Sequence, residues 1–217
     1  MGVGIFYVLL NERGIIMSIK ESTIHTRAVF HGEHHRLLLE KIWDEKLPKV
    51  AICMSNAGVT PSIYHMDYTT LFCINALSAL GYGSCSIVNL FSKMTNKLNL
   101  TGNLSDLTCP ENEEQIINVA KSCDIFLWSV GSIATTHKKI TPYKDSLFRR
   151  LIPYKDKIHV IVDSTGREGL HPLSPSLRNK PWTIIPYRPE PLPADKKEVR
   201  EDAVGGQDAL ASKQKKK

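Results

Sequence analysis

The sequence predicts an α/β fold, a three-layer α/β/α sandwich around a central, mainly parallel, four-stranded sheet. Three observations predict it. Four short apolar runs stand well apart in the chain, each bounded by polar or small residues. Between each run and the next lies a stretch with helical apolar spacing or helix-end signals, and such alternation builds a parallel sheet covered on both faces. The size agrees, because 217 residues with 42% apolar and 23% charged side chains bury a core without a disulfide framework or a structural metal.

Each element has its own signal. Glu33 to Trp43 reads as a helix ahead of the first strand. Val50-Ala-Ile-Cys-Met54 is the first buried strand. Tyr68 to Leu80 places Leu71, Phe72, Ile74, Leu77 and Leu80 at helical spacing and stops at Gly81, a helix C-terminal signal. Ser84 to Leu90 is the second strand, and a polar loop follows through Gly102 and Pro110. Asn112 to Ser122 is a helix with acidic residues near its start, where the helix dipole favours them. Ile125-Phe-Leu-Trp128 is the third strand, Tyr143 to Leu151 a helix, and Ile158-His-Val-Ile-Val162 the fourth strand. Trp182-Thr-Ile-Ile185 reads as a late edge segment.

The ends differ from this body, which spans 17–190. Residues 1–16 are too short an apolar stretch for a membrane helix and lack the basic start and small-residue cleavage site of a signal peptide. In a bacterial or phage gene, the codons for Glu12-Arg13-Gly14 can carry a ribosome-binding sequence just before Met17. Met17 is therefore the expected start and 1–16 a translated leader, which N-terminal mass spectrometry tests. Residues 191–217 are rich in charge and poor in apolar side chains, so disorder is expected there. The net charge is +6, which favours an anionic partner. No apolar run approaches the roughly 18 residues of a membrane span. Five cysteines without a CxxC pair read as buried free thiols in a reducing cytoplasm. His31, His34 and His35 cluster, but no companion ligands follow at zinc-like spacing, so they read as an exposed face and no metal or cofactor is expected.

In open parallel sheets ligands bind beyond the carboxyl ends of the strands. Those ends carry Ser55-Asn56-Ala57-Gly58, Asn89-Leu90-Phe91, Ser129-Val130-Gly131-Ser132 and Asp163-Ser164-Thr165-Gly166, all polar or small for the most part. The pattern predicts one shared cleft.

The residues also carry a resemblance. Asn56, then Asp67 and Thr69 opening a helix, Gly-Tyr-Gly followed by Val-Asn-Leu-Phe91, Pro110-Glu-Asn112, Trp128 and His171-Pro-Leu173 occur in order. Over about Arg36 to Pro186 this resembles the bacterial and phage family catalogued as domain of unknown function 1643. The chain departs from that pattern at Ala57-Gly58, Tyr68 and Ser129. More distantly it resembles the uracil-DNA glycosylases. Asn56 matches their water-positioning loop, Asn89 their base-reading asparagine, Leu127-Trp128 with Lys138-Lys139 their third motif, and His171-Pro172 with Ser174-Pro175 their His-Pro-Ser-Pro loop. The aspartate-containing first motif of the best-known glycosylases is missing here, and Asn56 is closer to the asparagine of the mismatch-directed branch.

The resemblance implies a division of roles. Asn56 orients a water, Asp67 accepts its proton, and His171 stabilises the negative charge left on a departing base. Asn89 offers a donor and an acceptor to the edge of a flipped base. Tyr64 or Phe91 stacks on the ring, worth about 1–3 kcal/mol per base. Ser55, Thr69 and Ser174 complete the base or nucleotide contacts, and Lys138 and Lys139 face phosphate. The structural alternatives are equally concrete. Asp67 is a strong helix N-cap type, Trp128 a core residue, and the two lysines a solvated face. Three functions follow: N-glycosidic hydrolysis in DNA or a nucleotide, binding of the same ligands without cleavage, or action on a protein partner in phage–host conflict.

Overall fold

The structure, a computed structural model, describes residues 7–10, 16–19, 21–59, 63–131, 137, 139–178 and 180–188. The expected tail 191–217 and Lys138 lie outside the described residues. Of the expected leader, only Tyr7–Leu10 and Ile16 lie within them. Strand β1 (Tyr7–Leu10) pairs antiparallel with β2 (Ile16–Ile19), across the expected boundary at Met17.

The main sheet has seven strands rather than the predicted four. They are β3 (His25–His31), β4 (His35–Ile42), β5 (Lys49–Asn56), β6 (Ser84–Phe91), β7 (Ile125–Trp128), β8 (Ile158–Val162) and β9 (Thr183–Pro186). Their order is β3-β4-β6-β5-β7-β8-β9. The four predicted strands are the adjacent, mutually parallel centre, β6-β5-β7-β8. An antiparallel hairpin, β3–β4, extends one side and antiparallel β9 the other.

The predicted helix at Glu33 to Trp43 is a strand. The reason lies in Leu37, Leu38 and Leu39, three consecutive buried side chains. Leu38 joins the core on one face of the sheet and Leu39 the core on the other. A strand buried on both faces needs an unbroken apolar run, and such a run carries no period to tell it from a helix.

Helix α1 (Tyr68–Ala79) covers one face, and α2 (Pro110–Ser122) and α3 (Ile140–Leu151) cover the other. The pleat of β5 sorts the contacts. Val50, Ile52 and Met54 meet Cys73 and Leu77 of α1, whereas Ala51 and Cys53 face the side of Ile116, Ala120 and Leu147. Burying each large apolar side chain contributes roughly 1.5–3 kcal/mol. All five cysteines are buried and free. The Gly-Tyr-Gly turn into β6 has a packing origin. Gly81 has φ 84°, and a Cβ on Gly83 would stand 1.9 Å from the Asp44 carbonyl oxygen. No helix among the described residues is long and apolar enough to cross a membrane.

Candidate functional site

After β5 the chain crosses to β6 through α1; it then returns past β5 to β7 through α2 and reaches β8 through α3. The crossovers change face between β5 and β7, a switch point that opens a crevice at the carboxyl edge. The buried side-chain atoms near that edge without a hydrogen-bond partner among the described residues include Nδ2 of Asn89, Oδ1 of Asn112 and Oγ of Ser129. Asn89 is 1% exposed and stands beside Met54 in register. Its backbone carbonyl is held by Nδ2 of Asn112 at 2.9 Å, which ties the first turn of α2 to the end of β6. Buried amides are nearly always paired, so the open Nδ2 of Asn89 is an exception among the described residues.

Charge converges on the same edge. Asp67 caps α1, accepting from the Thr70 amide at 2.7 Å. Its field also reaches Arg36, Lys41 and His171. Arg36 and Lys41 on β4 are 4% and 3% exposed. Burial lowers the pKa of both, and Asp67 works against that in each case. Lys41 donates to Thr26 Oγ1 at 2.8 Å and to the Ile63 carbonyl at 3.2 Å. The Asp67 carboxylate thus opposes the burial cost of both cations.

His171 is held in a defined state. Burial lowers its pKa, with Asp67 opposing, so the imidazole is neutral near pH 7. Its Nδ1 lies 3.2 Å from the Leu173 amide and accepts from it. The proton of the neutral ring therefore sits on Nε2, where it can be donated. His171 and Ser174 line a cavity of about 740 Å³ with Trp128, Gly131, Lys144 and Arg167. Gly131, at φ 67°, carries the exit of β7 past the His171 side chain.

Arg167 is fixed from below by Asp163, whose side chain is fully buried. Asp163 accepts from the Thr165 hydroxyl at 2.7 Å and from Nε of Arg167 at 2.9 Å, and it pairs with Nη2 at 2.7 Å. These partners, the Thr165 hydroxyl foremost, hold its pKa well below the usual carboxylate range. The guanidinium stays 63% exposed, a positioned cation on the cavity wall.

Other expected site residues are placed differently. Asn56 donates from Nδ2 to the Thr95 carbonyl at 3.1 Å, and its Oδ1 accepts from Ser55 Oγ at 3.2 Å. Phe91 is fully buried and stacks on Tyr143 with ring centres 5.9 Å apart, so it belongs to the core rather than the cleft. Trp128 is also core on one side, edge-on to Phe148 at 5.3 Å. Tyr64 is 89% exposed and Thr69 is half-buried in the first turn of α1. Lys139 is exposed, donates to the Thr101 carbonyl at 3.4 Å, and does not line the cavity. The sequence reading missed Arg36, Lys41, Lys144 and Arg167. The first two were hidden by the helix assigned to their segment. Arg167 directly follows the strand-end run Asp163-Ser164-Thr165-Gly166, which lacks the lysine of a P-loop.

Searches of curated proteins and of solved structures find no match. The family model described as a protein of unknown function, DUF1643, matches residues 36–173, more than half of the chain. With the motifs from Asn56 to His171 inside that span, the chain belongs to the DUF1643 family.

Proposed function

We propose that this protein recognises a nucleobase, in DNA or in a nucleotide, at the carboxyl edge of its parallel strands and hydrolyses the N-glycosidic bond. The buried Nδ2 of Asn89 carries this reading, because it lacks a partner among the described residues at the strand end where the remote glycosylase resemblance sets its base-reading asparagine. Neutral His171 offers Nε2–H to a departing base. Lys144 and Arg167, paired with Asp145 and Asp163, stand on the wall of the cavity that His171 lines, with Glu168 beside them, and are the candidate phosphate contacts. In the proposed step a water oxygen bonds to the anomeric carbon, and the carbon–nitrogen bond breaks with its electron pair going to the base. Asn56 orients the water and Asp67 takes its proton. The uracil-DNA-glycosylase-like version of the fold is part of this proposal.

A second reading, binding without cleavage, is favoured by Asn56, both ends of whose amide are already engaged by Ser55 and Thr95. Base release separates the two. Wild type and Asn56→Ala are incubated with single- and double-stranded DNA carrying normal, deaminated and modified bases, and with free nucleotides. Mass spectrometry follows free base, and filter binding follows affinity. Hydrolysis predicts release that Asn56→Ala abolishes while binding persists. Binding without release selects the second reading, and neither sinks both.

A further inference from the structure

A separate cluster, none of whose residues lines the cavity, lies at the tip of the β3–β4 hairpin. His31 ends β3 and pairs in register with His35. His35 bridges to Lys93, and Lys93 N donates to the Leu107 carbonyl at 3.0 Å. The hairpin tip is thereby tied to the segment that enters α2. There Cys109 is the N-cap residue and Glu111 stands in the first turn. The result is that His31, Cys109 and Glu111, far apart in sequence, place one nitrogen, one sulfur and one carboxylate oxygen within 4.8 Å of one another.

We propose that His31, Cys109 and Glu111 form a binding site for a divalent transition-metal ion of the zinc type, with the fourth position open to water. Four features carry it. First, the spacing fits. Nδ1 of His31 and Oε2 of Glu111 are 3.3 Å apart. Metal–ligand distances of about 2.0–2.1 Å in a tetrahedral site put such a pair about 3.3 Å apart. The sulfur, with bonds of about 2.3 Å, needs to stand about 3.6 Å from the other two, a closure of at most about 1.2 Å from the 4.8 Å limit. Second, the donors suit the ion: thiolate and imidazole select zinc-like ions over magnesium or calcium. Third, the charges balance, since one thiolate and one carboxylate neutralise a divalent cation. Fourth, an outer shell is in place. Ser92 Oγ lies 3.8 Å from Cys109 Sγ, accepts from the Cys109 amide at 3.3 Å, and lies 2.9 Å from Nδ1 of His35. Such neighbours orient metal ligands. His34 is exposed, as expected, and its backbone carbonyl accepts from Met94 N at 2.8 Å. The three ligands are not residues of the nucleobase reading, but the two sites are close: Asn89 lies near the end of β6 and Ser92 directly follows that strand.

Cobalt(II) titration of the metal-stripped full chain tests it. A single equivalent is expected to give tetrahedral d–d bands together with thiolate-to-cobalt charge-transfer absorption, both removed by zinc. Cys109→Ser is expected to abolish the charge-transfer band. His31→Ala and Glu111→Gln, at exposed positions, are expected to weaken binding by roughly tenfold or more. Absence of a charge-transfer band in the wild type overturns the proposal, as a simple His31–Glu111 ion pair predicts. A spectrum and affinity unchanged in His31→Ala and Glu111→Gln also overturn it, whatever Cys109→Ser does.

Discussion

Asn89 and His171 show how far a single side chain can be read. Asn89 sits 1% exposed with an unpartnered amide nitrogen among the described residues. A buried unsatisfied donor costs about 1–3 kcal/mol, and sites that bind ligands commonly hold such a cost in reserve. Replacing it with the near-isosteric leucine is expected to raise stability by about 1 kcal/mol in urea denaturation and to remove nucleobase binding. Lower stability together with unchanged binding would make Asn89 purely structural. His171 predicts a pH dependence. Its folded pKa lies below the ordinary 6.5, so the unfolded chain takes up the proton first as pH falls. The stability it contributes is complete above about pH 6.5 and is lost as pH drops through the folded value. His35 shifts in the same direction, burial again being the main cause. His171→Gln is therefore expected to flatten, not abolish, the decline in urea midpoint between about pH 7 and pH 5. An unchanged slope would place the ring in solvent.

At the scale of elements, α1 poses the sharpest question, because Asp67 both caps it and faces buried charge. The capping bond to Thr70 is a local feature, and the sequence alone marked Asp67 as a cap type. Its electrostatic partners come from positions 36, 41 and 171, which no local pattern joins. Legibility followed the same line elsewhere. The four parallel strands were readable as short apolar runs bounded by polar or small residues, and the three helices by apolar spacing or end signals. Strand β4 was not, because Leu37–Leu39 has no period and its two-sided burial comes from the cores on opposite faces of the sheet. Two variants separate the roles of Asp67. Asparagine is as good an N-cap as aspartate, so Asp67→Asn keeps the cap and removes the charge. If capping is all, Asp67→Asn matches wild type and Asp67→Ala loses about 1 kcal/mol. The charge cluster predicts otherwise. Both variants lose stability, and both move the His171 pKa further down, read from its imidazole resonances across a pH series.

For the molecule as a whole, the family match and the folded unit have different limits. The match runs from 36 to 173, whereas the sheet runs from His25 to Pro186. The difference is structural rather than ornamental. Strand β3 pairs along the length of β4, and β9 pairs with four residues of β8. Leu177 and Trp182, 2% and 4% exposed, close the core on the α1 face. Tyr187 packs edge-on to Phe148 at 5.6 Å and lines the cavity. Cutting the chain to 36–173 would strip both edge strands and expose β4 and β8, whose apolar runs are built for burial. Unprotected edges of that kind pair with other chains, and the loss of Leu177 and Trp182 alone removes roughly 1.5–3 kcal/mol each, a large share of a typical 5–15 kcal/mol total. A 36–173 fragment is therefore expected to aggregate or lack a cooperative transition, while 21–188 keeps the circular dichroism spectrum and urea midpoint of the full chain. If 36–173 unfolds cooperatively at the same midpoint, the hairpin and β9 are accessories, and the cavity wall at Tyr187 is not part of the unit the family shares.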